Sequence, residues 1–294
     1  MITDTALQAS QTAADFYEKT GWYISDLFID DEAIEECILA AEGIYHGKYD
    51  HVQPWSDSPL IPNFRKPYTE RDQLRVDQFP SFHSDAIKKV THSTQIAAIA
   101  AELMKTDEIR YYKDILIGTP TEEYVEQSAI GWHTDNSYWP TCIAEKMMTV
   151  YVPLQDRDES NGTLVMVSGS HRWVNKSFNL TAEFKDFEKI RKKYDKEGYD
   201  IELHPLVHKK GQVSFHSSLV IHATYPNVTP EFQYTIVFGL QAKENRFIPS
   251  PLKRFNKSMV INLNDEIGPT LPDGSPDLTN DEFYPLLYSK TQAL

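Results

Sequence analysis

The chain has 294 residues, 40% hydrophobic and 12% aromatic, enough for one large domain with a real core. Its 43 acidic against 29 basic residues give a formal net charge of −14, and no Lys/Arg-rich stretch is longer than KIRKKYDK, which argues against nucleic acid and anionic membrane as partners. The only cysteines, Cys37 and Cys142, have no CxxC spacing, which argues against a disulfide framework or zinc knuckle. The opening MITDTALQAS has neither a basic region nor an apolar run, and no segment approaches the roughly 18 apolar residues of a membrane span. The expectation is a soluble, cytoplasmic protein.

In chain order, TAADFYEKTGWYI reads as helical. DDEAIEECILAAEGIYHG follows as a helix opened by Asp30 and Asp31, with Ile34, Cys37, Ile38 and Ala41 at spacings of three and four. A polar, proline-containing loop from Lys48 to Gln73 precedes SDAIKKVTHSTQIAAIAAELM, a helical pattern opened by Ser84 and Asp85. Residues 1–108 thus form a mostly helical N-terminal part. From residue 109 the texture changes to RYYKDILIG, KMMTVYVPL, GTLVMVSG, IELHPLV, GQVSFHSSLVIHA and QYTIVFGLQA. Short β-branched and aromatic runs without a βαβ rhythm predict an antiparallel barrel or sandwich, here a core over 109–245. FNLTAEFKDFEKIRKKYDKEGYD interrupts it as a charged helical insertion at about 177–199, either a surface helix or a substrate lid over one barrel mouth. Residues 246–294 form a C-terminal extension, loop-like from Asn264, and the whole reads as a single domain.

The chemistry concentrates in GWHTDNSYWP, residues 131–140. In an extended strand, residues i and i+2 share a face, so His133 and Asp135 offer a nitrogen and an oxygen to one point. The bare triplet is a weak signal. SFHSSLVIHATYPNVTP adds His216 and His222 in a β-rich run, where a distant strand can supply a third ligand across a barrel. Two histidines and one carboxylate on one face form the facial triad of non-haem Fe(II) oxygenases, with open positions for an organic cosubstrate and O₂. The spacing does not separate His216 from His222.

GWHTD, NGTLVMVSGSHRW and GQVSFHSSLVIHATYPN, in that order and spacing, resemble the phytanoyl-CoA dioxygenase (PhyH-like) family of Fe(II)/2-oxoglutarate oxygenases. The resemblance covers roughly residues 110–245 and, more loosely, the N-terminal helices. It implies a mainly β fold with flanking helices, the double-stranded β-helix (jelly-roll, cupin-like) barrel. It also implies His133, Asp135 and His222, not His216, as the iron ligands. The family reaction consumes Fe(II)-bound 2-oxoglutarate and O₂ to oxidise a small-molecule substrate, giving succinate and CO₂. Related halogenases carry a small residue where Asp135 stands, so hydroxylation or another oxidation without halide is expected.

One departure stands out. The family usually places an arginine about eleven residues past the distal histidine, to clamp the far carboxylate of 2-oxoglutarate; here that position is Gln233. A charge-assisted Arg–carboxylate contact is roughly twice as strong as a neutral hydrogen bond. Three explanations stand. Lys146 supplies the charge, or is only a strand-edge lysine; Gln233, Thr235 and Thr224 bind through neutral hydrogen bonds; or the cosubstrate differs or turnover is lost. Thr149 and Tyr151, on one face of the strand after the motif, are candidate cosubstrate contacts.

Trp132, Tyr138 and Trp139 are either a substrate wall or core packing. Lys113 faces the pocket or a strand edge, and His171, in VSGSHRW, is structural or touches substrate. His46, His51, His83, His92, His204 and His208 have no ligand-like spacing. The expected function is oxidation of a small natural-product or amino-acid-like molecule. CoA is disfavoured because its phosphates find no basic cluster near the barrel motifs. The rivals are a metal-binding barrel without turnover, serving as a small-molecule binding protein, and a cupin-like metal enzyme not using 2-oxoglutarate.

Overall fold

The computed structural model describes residues 11–56, 58, 71–173, 182, 185–199, 201–249 and 262–291. Helix α1 (Gln11–Thr20) ends at Gly21, which takes φ +84°, and the chain turns into strand β1 (Trp22–Phe28). Helix α2 (Asp31–Tyr45) starts where the Asp30 carboxylate accepts the Ala33 N–H at 2.9 Å, a cap of about 1 kcal/mol. Strand β2 (Arg75–Gln78) precedes α3 (Asp85–Thr91) and α4 (Thr94–Met104), each capped by a serine, Ser84 and Ser93. The stretch read as one helix after Ser84 is therefore two, broken where Ser93 starts a new cap.

Strands β3 (Glu108–Thr119), β4 (Met147–Pro153), β5 (Leu164–Val167), β6 (Leu203–Pro205), β7 (Gln212–Ser217), β8 (His222–Thr224) and β9 (Gln233–Ala242) follow, with short helices α5 (Val125–Ser128), α6 (Phe187–Asp195) and α7 (Leu263–Ile267) between and after them. The chain ends in β10 (Leu286–Ser289). The large sheet runs β1-β7-β4-β9-β3-β10, with β2 also paired to β3; the small sheet runs β6-β5-β8. This is the expected jelly-roll fold, with every named pairing antiparallel.

Alternation along the strands sorts outside from inside. Met148, Val150 and Val152 of β4 and Ile236, Phe238 and Leu240 of β9 point outward, into a core shared with Ile34 and Cys37 of α2 and Ile96 and Ile99 of α4. The other face of the same strands lines the interior, where Tyr151 and Val237 meet Leu164, Met166 and Val220. Burial on both faces explains the near-continuous apolar run of β4.

Two sequence expectations need correction. WYI, read as helical, belongs to β1, which pairs with β7 and extends the large sheet. The tail read as loop-like from Asn264 includes part of α7 and also β10, an edge strand on β3. The insertion expected at 177–199 begins in residues outside those described; its helix α6 buries Ile190 and Tyr194 against Val165, Val167 and Ile221 on the outer face of the small sheet, while Ala182 lines a cavity together with His133 and Asp135. No helix among the described residues is long and apolar enough to cross a membrane.

Candidate metal centre

His133 and His222 are held opposite each other by a two-bond backbone bridge, His133 N to His222 O at 2.9 Å and His222 N to His133 O at 3.0 Å. Their rings lie 4.1 Å apart between centroids. Each Nδ1 faces a backbone carbonyl, Gly131 O at 2.8 Å and Val220 O at 3.1 Å. A carbonyl only accepts, so each Nδ1 carries the proton and each Nε2 lone pair is free to ligate. Both Nε2 atoms lie 3.6 Å from Oδ1 of Asp135. One donor atom from each of His133, Asp135 and His222 falls within 4.8 Å of the other two, which fits a single ion.

Asp135 leaves the strand in a short 3₁₀ turn, and its second oxygen, Oδ2, accepts from Thr149 Oγ1 at 2.5 Å and from His216 Nε2 at 3.0 Å. Thr149 and His216 are register partners on β4 and β7, so the large sheet presents both donors together. Burial works against the ionised form of Asp135, but His222, His133 and His216 outweigh it and hold the carboxyl well below the usual range. Burial, with His133 alongside, holds His222 well below the usual histidine range. An anionic carboxylate beside a neutral imidazole is the donor chemistry a divalent cation requires.

His216 thus braces the Asp135 carboxylate, while the donor atoms that could share one ion come from His133, Asp135 and His222. His216→Leu keeps the bulk, removes the donor, and is expected to weaken Fe(II) binding about 10–100-fold. A metal titration followed by calorimetry checks this; unchanged affinity would remove His216 from the site.

A cavity of about 360 Å³ opens beside the triad, lined by His133, Asp135 and Thr149 together with Ile115, Ile117, Tyr138, Trp139 and Val237. Lys113 and Gln78 also reach it, and the C-terminal extension contributes Leu263. A bulge between Tyr111 and Lys113 sets Lys113 opposite Gly239. Burial pulls the Lys113 ammonium down to about 8, against the opposing pull of Asp114 and Asp135. Trp139 reaches the wall because residue 239 is glycine, whose absent Cβ would sit 3.0 Å from the indole.

Other expected residues fall elsewhere. Trp132 is fully buried on the outer face of the small sheet, edge-on to Phe187 at 5.0 Å, so it is core and not a substrate wall. His171 faces α1, with Nε2 3.0 Å from Glu18 O and its ring over Gly21, which corrects its candidacy as a substrate contact. Lys146 precedes β4, and its half-exposed ammonium lies 3.8 Å from Glu244. It lies at the N-terminal end of β4, the end away from the Pro153–Thr235 pair. Thr224 Oγ1 accepts from Ile130 N at 2.7 Å and ties β8 to the chain entering the metal motif. Gln233 and Thr235 are buried on the inward face of β9, and Tyr151 lies 5.2 Å from the ring of His208.

His208 is buried, its Nδ1–H donating to Leu206 O at 2.8 Å and its Nε2 accepting from Ser214 Oγ at 2.8 Å. Burial pushes its pKa down to about 4 from 6.5. The unfolded chain then takes up a proton first, so this stabilisation is complete above pH 6.5 and is lost as pH falls through about 4. The loss amounts to roughly 3 kcal/mol. Thermal unfolding followed from pH 7 to pH 4 should record it, with a shallower slope in His208→Gln.

A jelly-roll fold carrying a His-Asp-His group at the wall of a cavity fits the class of non-haem Fe(II) oxygenases. The sequence matches the phytanoyl-CoA dioxygenase (PhyH) family over residues 28–233, and the chain belongs to that family. Its cofactors are Fe(II), 2-oxoglutarate and O₂, and the donor set above fits them. Similar solved structures include the alpha-ketoglutarate-dependent epimerase SnoN from nogalamycin biosynthesis, 18% identical with TM-score 0.67, covering 94% of this chain and 98% of that one. The carbocyclase SnoK from the same biosynthesis is 16% identical with TM-score 0.67, covering 95% and 96%. EctD from S. alaskensis, solved with 2-oxoglutarate and 5-hydroxyectoine, is 18% identical with TM-score 0.63, covering 88% and 86%. No curated protein sequence matches the chain.

Proposed function

We propose that this is a cytoplasmic Fe(II)/2-oxoglutarate-dependent dioxygenase that hydroxylates or otherwise oxidises a small natural-product-like or amino-acid-like molecule, releasing succinate and CO₂. The observation that carries this reading is the preparation of the triad. Two imidazoles are fixed with Nε2 bare, and a carboxylate with one oxygen already committed turns the other toward them, beside a largely apolar cavity.

Bound there, iron and 2-oxoglutarate supply the oxidising power for a substrate C–H bond; the chain's residues position and shield. His133, Asp135 and His222 hold the metal, and His216 and Thr149 keep the Asp135 carboxylate oriented. Ile115, Ile117 and Val237 keep bulk water from the reacting centre. Trp139 and Tyr138 offer flat apolar faces to the substrate, and Lys113 an ammonium for a carboxylate or carbonyl. A CoA thioester does not suit this wall: among the described residues lining it, Lys113 is the only cation to meet several phosphates. Asp135 fills the position that halide would need, which favours oxygen chemistry.

The test is succinate release, with O₂ present, across a panel of small amino-acid-like and polycyclic natural-product-like compounds. The reading expects at least one compound to raise succinate formation well above the uncoupled background and to appear as an oxidised product. Binding of 2-oxoglutarate without consumption under every compound would favour the binding-protein alternative.

A further inference from the structure

Gln233 stands where the family usually carries its clamp, yet the barrel interior holds a cation. Arg157, in the turn QDRDESNG after β4, is 2% exposed. Its flanking carboxylates are committed elsewhere. Asp156 meets Lys209 Nζ at 3.1 Å and Lys210 N at 2.8 Å, and Asp158 accepts from Ser160 N at 2.7 Å and Ser160 Oγ at 2.6 Å. A backbone bridge to His208 fixes the strand-like geometry that sends Arg157 to the opposite side, inward.

The guanidinium donates to three neutral oxygens: Asn161 O at 2.6 Å, Tyr234 O at 3.2 Å and Thr235 Oγ1 at 2.6 Å. Its Nε–H is buried and has no acceptor among the described residues. Arginine stays charged in proteins, and a buried charge is costly unless paired. The fold therefore keeps a fixed cation whose anion is still to come.

Its neighbours adjoin the cavity. Thr235, which fixes the guanidinium, pairs with Ile117 of β3, and Ile117 and Val237 both line the cavity. Tyr151 pairs with Val237 and lies two residues, about 7 Å, along β4 from Thr149, which holds Asp135. Arg157 is thus tied, through Thr235, to the strands β3 and β9 that wall the cavity. Gln233, on the same face as Thr235, has a buried Oε1 with no partner among the described residues, so it does not take up the arginine's acceptor-seeking edge.

We propose that Arg157, delivered from the β4–β5 turn rather than from β9, anchors the far carboxylate of 2-oxoglutarate, with Thr235 holding the guanidinium in place. This rests on the reading that 2-oxoglutarate is the cosubstrate. It makes the distal carboxylate the feature by which the protein selects its 2-oxo acid.

Calorimetry on the Mn(II)-loaded protein, comparing 2-oxoglutarate with 2-oxopentanoate, reads the anchor without turnover. The two acids differ only in a terminal carboxylate against a methyl. Wild type should favour 2-oxoglutarate by about a hundredfold. Arg157→Gln should lose most of that preference while binding 2-oxopentanoate as before, a change in selectivity that a merely structural role would not produce. Combining Arg157→Gln with Gln233→Arg moves the cation to β9 and should restore the preference. Arg157→Lys, which keeps charge without the planar fork, should fall between and carries the test if Arg157→Gln fails to fold by circular dichroism. Undiminished preference in either single variant, or equal binding of the two acids by wild type, overturns the anchor while leaving the oxygenase reading intact. Wild type that binds neither acid overturns that reading and the anchor with it.

Discussion

His222→Ala is expected to abolish iron binding and 2-oxoglutarate turnover in a protein that still folds. The loss should exceed the roughly 10–100-fold expected for removing a supporting residue such as His216, because a ligand atom is removed rather than an orienting one. Folding should survive, since the bridge between residues 133 and 222 uses backbone N–H and C=O groups on both sides. His216 cannot step in: its Nε2 proton is given to Asp135 Oδ2, and releasing it would undo the carboxylate's orientation. Fe(II) titration with circular dichroism as the folding control checks the outcome. An His222→Ala protein that keeps full iron affinity would transfer the third ligand to His216.

Trp132→Ala is expected to cost about 3–5 kcal/mol of stability, the range for truncating a large buried aromatic. That corresponds to a fall in melting temperature of about 10 °C for a domain of this size. The indole fills the space between α6 and the outer face of the small sheet, among Val165, Ile221 and Phe187. Trp139→Ala should change substrate affinity as well as stability, because its indole packs on Tyr112 and also lies against Gly239 on the cavity wall. A Trp132→Ala protein with unaltered melting and a changed substrate profile would contradict this assignment.

The contrast between the two tryptophans was legible in the sequence. Trp132 immediately precedes His133, and in an extended segment the alternation that aims His133 inward aims Trp132 outward. Reading the aromatics around GWHTDNSYWP as one group hid this. The iron triad itself was accessible because its three motifs stand in register, although only the family resemblance chose His222 over His216.

Why both histidines are needed lay outside local pattern. The role of His216 depends on β7 pairing with β4 so that His216 and Thr149 meet on one carboxylate, a contact across 67 residues of chain. Arg157 was hidden for a different reason. Set between two aspartates in a turn with serine, asparagine and glycine, it reads as solvated surface, and only its pairing with His208 turns it inward. Strands β1 and β10 escaped because each lies at an end of the large sheet and borrows its stability from a neighbouring strand rather than from its own apolar run.

The central claim, that this triad holds iron and iron holds 2-oxoglutarate, is tested most directly by anaerobic absorption spectroscopy. Wild-type protein given Fe(II) and then 2-oxoglutarate should develop the visible charge-transfer band of a chelated 2-oxo acid, requiring both additions and missing in His222→Ala. No band at saturating 2-oxoglutarate, or an equal band in His222→Ala, would contradict it.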